Sequence, residues 1–291
     1  MTVSGCAAAP PPDDAGDHAT IVSLNPCADA ILADIAAPGQ LLAVSHYSHD
    51  PAASSMPPDQ AMRYPSTGGT AEEVLALAPD MVVADAFIAP ATRRALEQAG
   101  VQVEVLGIAG TLDDSLAQIA TLGAATGNAD RAAALSHRIA AAWQASEWHG
   151  APVTALLWQE GGLVAGEGSL AQTLLEHSGF ASLSAARGLG QGAYLPLEQV
   201  LADPPRVLIV AGDDAVLHHP VLARLDGVEQ ARIAPAMLYC AGPTIPRALA
   251  RLGEIRAQVP PLPLAGGAGG GPVTHNMPSP QPPPAGGRGR S

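Results

Sequence analysis

The sequence predicts an α/β protein of two lobes, each with a central, mostly parallel sheet flanked by helices. Three observations carry that prediction. Short apolar runs alternate with helical ones, the rhythm that wraps a parallel sheet on both faces. From Thr111 to Trp148 the spacing is helical throughout and holds no strand. One device occurs twice: "AEEVLALAPDMVVA" from Ala71 and "LEQVLADPPRVLIVA" from Leu197 both read acidic residue, short apolar helix, proline, strand. Internal duplication of this kind argues for two units of similar build.

The elements follow in order. "ATIVSLNP" is a strand closed at Asn25, because a residue before proline is pushed out of the helical region. "CADAILADIAA" places apolar residues at helical spacing and stops at Pro38-Gly39. "LLAVSHYS" reads as the second strand, and "TAEEVLALAP" as a short helix capped by Thr70 with Glu72 and Glu73 in its first turn. "DMVVADAF" is a third strand, "APATRRALEQAG" a helix and "VQVEVLG" a fourth strand. The long helical stretch is expected to break or cap at Gly127–Asp130. Past Gly150 the rhythm resumes with "PVTALLWQEGG", "LVAGEGS", the helices "LAQTLLEHSG" and "LPLEQVLA", the strand "RVLIVAG", then "APAMLYC" before a last helix around "TIPRALARLGEI".

Bulk properties exclude some partners. A formal charge of -13 over 291 residues argues against sequence-independent nucleic-acid binding, which needs a basic footprint. No run approaches the roughly 18 to 20 apolar residues of a spanning helix. All 14 basic residues are arginine. Cys6, Cys27 and Cys240 lie far apart and match no zinc or redox spacing. A disulfide joining Cys27 to Cys240 stays open, since geometry decides it.

At the N-terminus "VSGC" and the loose "AAAPPPDDAGD" are similar to the lipobox and tether of a bacterial lipoprotein, with Cys6 the residue to be acylated. The charged and apolar regions of a secretory signal are not seen ahead of it, so a chance occurrence stays open. The expected organisation is a disordered leader over 1–19, an N-terminal lobe over 20–122, a connecting helix over 123–149, a C-terminal lobe over 150–259 and a disordered Pro/Gly-rich tail over 260–291.

"IVSLNPCADAIL", the "TAEEVLALAPDMVVA" unit, the long helical stretch and the second "LPLEQVLADPPRVLIVA" together resemble the substrate-binding proteins of ABC importers for iron-siderophores, haem and vitamin B12. The resemblance spans Ile21 to Val259. It implies a periplasmic, non-enzymatic and monomeric receptor, anchored to the membrane only through a lipid. Its two lobes would be joined by one long rigid α-helix, with a metal chelate (a cobalamin-type corrinoid, haem or a ferric siderophore) in the cleft and no intrinsic cofactor. It also implies a carboxylate on each lobe that docks on arginines of the permease. Motif for motif these are Glu72 and Glu198, although either could simply complement its helix dipole.

Ligands of open parallel sheets sit beyond the carboxyl ends of the strands. That rule brings His46, Tyr47 and His49, Asn25 and Cys27, Asp85 and Phe87, Trp158 and Gln159, and Tyr239 and Cys240 to the cleft. Rings with a few polar anchors suit a large, partly apolar chelate, and His46 or Tyr47 offers an axial bond to its metal. Arginines able to grip a carboxylate-rich ligand are scarce, Arg63 being the nearest first-lobe candidate.

Other readings compete. His46 and His49 equally suit solvated loop positions, Trp158 a core position, and Cys27 a buried small hydrophobe. A bare zinc or manganese site would take His46 and His49 and recruit His177 or His218, without a His-rich insertion to mark it. A thiol enzyme would use Cys27 with His46 or His49 as base, without any visible oxyanion hole. A surface lipoprotein would bind no small ligand tightly.

Overall fold

The computed structural model describes residues 18–213 and 215–259. Cys6, most of the expected leader and the expected tail lie outside the described residues.

The first strand, β1 (Ile21–Ser23), is wholly buried, as a central parallel strand must be. Asn25 ends it and caps α1 (Pro26–Ile35), its side chain accepting from the amides of Cys27 and Ala28 at 2.8 and 3.3 Å. β2 (Leu41–Ser45) runs into a single 3₁₀ turn at His46–His49, opened by the Ser45 hydroxyl accepting from Tyr47 N. Then come α2 (Pro58–Ala61), β3 (Ser66–Thr67), α3 (Ala71–Ala76), β4 (Met81–Asp85), α4 (Pro90–Gln98) and β5 (Gln102–Leu106). These five strands pair in the order β3-β2-β1-β4-β5, every pair parallel.

The helical stretch is two helices, α5 (Leu112–Ala125) and α6 (Ala129–Ala145). Thr111 and Asp114 form a capping box at the start of α5. Gly127, at φ +71°, makes the break, and Asn128 holds it by donating to Thr126 O and Gln40 Oε1. A Cβ on Gly123 would come within 2.3 Å of the Ala132 Cβ, so the hairpin depends on glycine there. Thus α6, about 25 Å long at 1.5 Å per residue, is the helix that runs between the sheets. It packs on α1, and near its far end Trp143 stacks on His177 at 3.7 Å.

The second sheet contains β6 (Val153–Gln159), β7 (Phe180–Ser182), β8 (Val207–Ala211) and β9 (Glu229–Arg232), ordered β7-β6-β8-β9 and again all parallel. Around it lie α7 (Leu170–His177), α8 (Leu183–Ala186), α9 (Leu197–Ala202) and α10 (Ile245–Gln258). The repeated unit occupies equivalent places. α3 leads into β4 beside β1, and α9 leads into β8 beside β6.

One buried cluster joins both lobes, with Ile31 and Val83 from the first, Leu135 and Ile139 from α6, and Leu157, Leu174 and Leu252 from the second. Two smaller clusters cover the outer faces of the sheets. No helix among the described residues is long and apolar enough to cross a membrane.

Some strand assignments need correction. β3, β7 and β9 are short strands that the apolar pattern did not show, β9 because Glu-Gln-Ala-Arg at a sheet edge needs no apolar face. "APAMLYC" is no strand: Pro235–Met237 make a 3₁₀ turn, and Tyr239 lies in the irregular segment that follows. "LVAGEGS" pairs only through isolated bridges, Leu163 with Tyr194 among them.

Candidate functional site

The carboxyl ends of both sheets open onto one groove. It consists of cavities that share walls. The first, about 290 Å³, lies against Ser45, His46, Tyr47 and Thr67 from the β2 and β3 ends and Asp85 and Phe87 from the β4 end. The second, also about 290 Å³, shares Asp85 and Phe87 and adds Asn25, Cys27, Ile108, Tyr239 and Cys240. The third, about 220 Å³, carries the groove into the second lobe past Gln159, Leu163 and Gln191. A fourth, about 560 Å³, lies between Pro51-Ala52 and a wall of Glu160, Gly212, Asp213, Arg232 and Pro235. Tyr239 borders the last three.

Rings stand free in this groove. Tyr47 is 53 % exposed, Phe87 78 % and Tyr239 44 %. Tyr47 and Phe87 share the first cavity, and Phe87 and Tyr239 the second. Phe87 is aimed by its own turn, its amide donating to Asp85 Oδ1 at 2.7 Å. The Tyr239 hydroxyl is pushed above its ordinary pKa, first by burial and then by the negative charges of Glu160 and Asp50.

His46 stacks on Tyr47 at 4.1 Å, and its Nδ1 lies 3.3 Å from Thr67 O. A carbonyl only accepts, so a hydrogen bond in this contact is donated by Nδ1.

Cys27 and Cys240 form a disulfide with 5.1 Å between their Cα atoms, within the ordinary range. The bond walls the second cavity and leaves no thiolate, so the thiol-enzyme reading loses its nucleophile.

Two residues expected in the groove are elsewhere. Trp158 is wholly buried, its Nε1–H donating to Leu195 O at 3.0 Å, because strand alternation turns it into the second-lobe core and leaves Gln159 at the cavity. His49 lines none of the four cavities. Its Nε2 faces Ala61 O at 3.2 Å and Tyr64 O at 3.0 Å, fastening α2 to the turn. The histidines that a bare-metal site would recruit are also engaged, His177 with Trp143 O and His218 with Asp213. Among the described residues no group of three His, Cys, Asp or Glu side chains could hold a metal ion. Arg63 pairs with Asp59 at 3.9 Å and lines no groove cavity.

Sequence reasoning missed Ile108, Gln191, Glu160 and the Asp213–Arg232 pair. Ile108 follows the β5 end and the strand-end rule would have found it. Gln191 sits in a glycine-rich loop between α8 and α9 that carries no pattern.

Glu72 is exposed in the first turn of α3 and Glu198 in the first turn of α9. Neither makes an ion pair among the described residues. Neighbouring Glu73 differs, accepting from the Thr67 hydroxyl at 3.1 Å.

Comparison with known proteins agrees with this architecture. The chain is similar to the apo periplasmic haem-binding protein of Roseiflexus sp. RS-1, at 22% identity and a TM-score of 0.64 over 82% of this chain and 97% of that one. It is similar to the periplasmic haem-binding protein of Vibrio cholerae, at 19% identity and a TM-score of 0.67 over 84% and 99%. It is also similar to the periplasmic vitamin B12 binding protein of Vibrio cholerae, at 18% identity and 0.63 over 82% and 97%. At such identities the likeness establishes the fold. A search of curated proteins finds no match. The family model described as periplasmic binding protein matches residues 21–235, and by that match the chain belongs to the periplasmic binding protein family.

Proposed function

We propose that this protein is the extracytoplasmic substrate-binding component of an ABC importer, and that it captures a metal chelate in the groove between its lobes. The observation that carries the reading is the meeting of both sets of strand ends on one groove lined by exposed rings, with His46 on its wall. The solved structures it resembles include binders of haem and of vitamin B12, two flat metal macrocycles.

Capture needs no bond-making beyond coordination. Covering Tyr47, Phe87 and Tyr239 contributes roughly 1.5 to 3 kcal/mol per ring. Association itself costs at least about 4 kcal/mol. The rings alone therefore fall short of the about 8 kcal/mol of micromolar binding. A coordinate bond from His46 Nε2 and polar contacts from Asn25, Gln159 or Gln191 supply the remainder.

In the same reading Glu72 and Glu198 seat the loaded protein on permease arginines, one from each lobe. Residues 20–122 and 150–259 act as the lobes, with 123–149 between them. Cys6 carries the lipid, and the protein works as a monomer. α6 and the Cys27–Cys240 bond tie the lobes together, so closure on ligand is slight.

The test is titration of tryptophan fluorescence with cyanocobalamin, haemin and a ferric hydroxamate. Saturable quenching by one of them at about micromolar concentration or below is expected. A protein indifferent to all three would be a surface lipoprotein and not a transport receptor.

A further inference from the structure

The groove carries an unbalanced charge. We propose that it selects metal chelates that are neutral or cationic and turns away those with peripheral carboxylates, Asp85 and Glu160 being the selecting groups. The inference rests on the reading of the groove as a chelate site and narrows its substrate class.

The charged residues on the walls of the four cavities are Asp85, Glu160, Asp213 and Arg232. Arg232 is already committed, its Nη2 donating to Gly212 O at 2.8 Å and to Asp213 Oδ1 at 3.1 Å. That pair cancels. Asp85 and Glu160 make no ion pair among the described residues; Asp85, at the end of β4, lines the first and second cavities, and Glu160, just past β6, lines the fourth. Asp50 adds a third negative charge near Tyr239 from the first-lobe side.

Among the described residues no arginine other than Arg232 lines a groove cavity. The sequence has no lysine. Arg93, Arg138, Arg187 and Arg251 are paired with Glu97, Asp34, Asp203 and Glu254, and none lines a groove cavity.

A carboxylate brought into such a groove loses water and meets like charge where it needs an arginine fork or a set of amide donors. A cationic or neutral chelate meets the opposite field, or none. Like charges a few ångströms apart at a protein surface discriminate by more than tenfold, and added salt weakens the effect.

The experiment is calorimetric titration of the full chain with ferrioxamine B (cationic), cyanocobalamin (neutral), haemin (two propionates) and ferric citrate (anionic), at low and high salt. We expect ferrioxamine B or cyanocobalamin to bind at least tenfold more tightly than haemin and ferric citrate, with the gap narrowing in salt. The Asp85→Asn/Glu160→Gln variant should shrink the gap at least fivefold by tightening the anionic ligands, with cyanocobalamin as the uncharged control. Haemin binding more tightly than both uncharged and cationic ligands, or a gap unmoved in a variant that still melts cooperatively, overturns the charge selection while leaving the chelate site standing. Failure of all four ligands overturns the site and the selection together.

Discussion

Cys27 in the first turn of α1 is bonded to Cys240, 213 positions later, and the bond crosses from the first lobe to the segment that leaves the second-lobe sheet. The crossing is reinforced on both sides of the sulfur. Cys240 N donates to Ser55 Oγ at 3.1 Å and Gly242 N to Ser115 Oγ at 2.9 Å. Tyr239, which touches three of the four cavities, is thereby held against the first lobe although it follows the second-lobe strands in sequence.

Removing that bond is expected to cost about 2 to 5 kcal/mol, the usual range for a native disulfide. Denaturant melts of wild type and Cys27→Ser/Cys240→Ser, each with and without reductant, measure it. Reductant should lower the wild-type midpoint toward that of the variant and leave the variant unmoved. Equal midpoints in all four would contradict a stabilising role.

His46→Ala should weaken binding of a chelate with an exchangeable axial site by at least about tenfold, a modest value for a lost coordinate bond, and should alter the absorption bands of the bound metal. Thr67 contributes only its backbone carbonyl, so its side chain is not the determinant. An unchanged spectrum would rule out ligation by His46.

Replacing Glu72 and Glu198 together by Ala should abolish uptake in cells and leave chelate affinity within twofold. Glu198 lines no groove cavity and Glu72 lines none of the four, bordering instead a hollow of about 490 Å³ that adjoins the first cavity at Gly68, Gly69 and Thr92; a bidentate arginine pair is the interaction the two would lose. A matching fall in affinity would contradict the separation of docking from binding.

Asp29 is expected to make stability depend on pH. It is wholly buried under the His46 turn and accepts from Ser45 N at 2.9 Å and from Ser48 Oγ at 2.6 Å, while its Oδ1 has no partner. Burial pushes its carboxyl up to about 7, against the pull of Ser23, Ser48 and the Ser45 amide. An unfolded aspartate titrates near 3.9, so between those values the folded state holds more protons than the unfolded one. Stability contributed by this group is therefore full at low pH and falls as pH rises toward about 7. Between pH 5 and 8 the loss should reach roughly 2 to 3 kcal/mol in wild type and be much smaller in Asp29→Asn, as read from denaturant midpoints. Parallel pH profiles would show that Asp29 does not titrate in this window.

Much of this was legible in the chain because it rests on local rules. Pro26 and Asn25 set the end of β1, Thr70 set the start of α3, and the paired "AEEVLALAP" and "LEQVLADPP" units showed two similar lobes. Strand ends also located His46, Tyr47 and Phe87 at the groove. What was not legible depends on which way one side chain turns or on contacts far apart in sequence. Trp158 and Gln159 are neighbours on one strand, and only the pleat decides which meets the core. His49 is two residues beyond Tyr47 in the same turn, yet it serves α2, whose place no spacing reveals. Tyr239 reached the groove for a reason other than the expected strand, namely the disulfide beside it.

The most direct test is calorimetric titration of wild type and of Phe87→Ala/Tyr239→Ala with ferrioxamine B, cyanocobalamin and haemin. The account predicts that wild type binds one of these at one per chain, with a Kd of about a micromolar or lower, and that losing both rings weakens it at least about tenfold. No binding by wild type, or an affinity indifferent to the loss of the two rings, would contradict it.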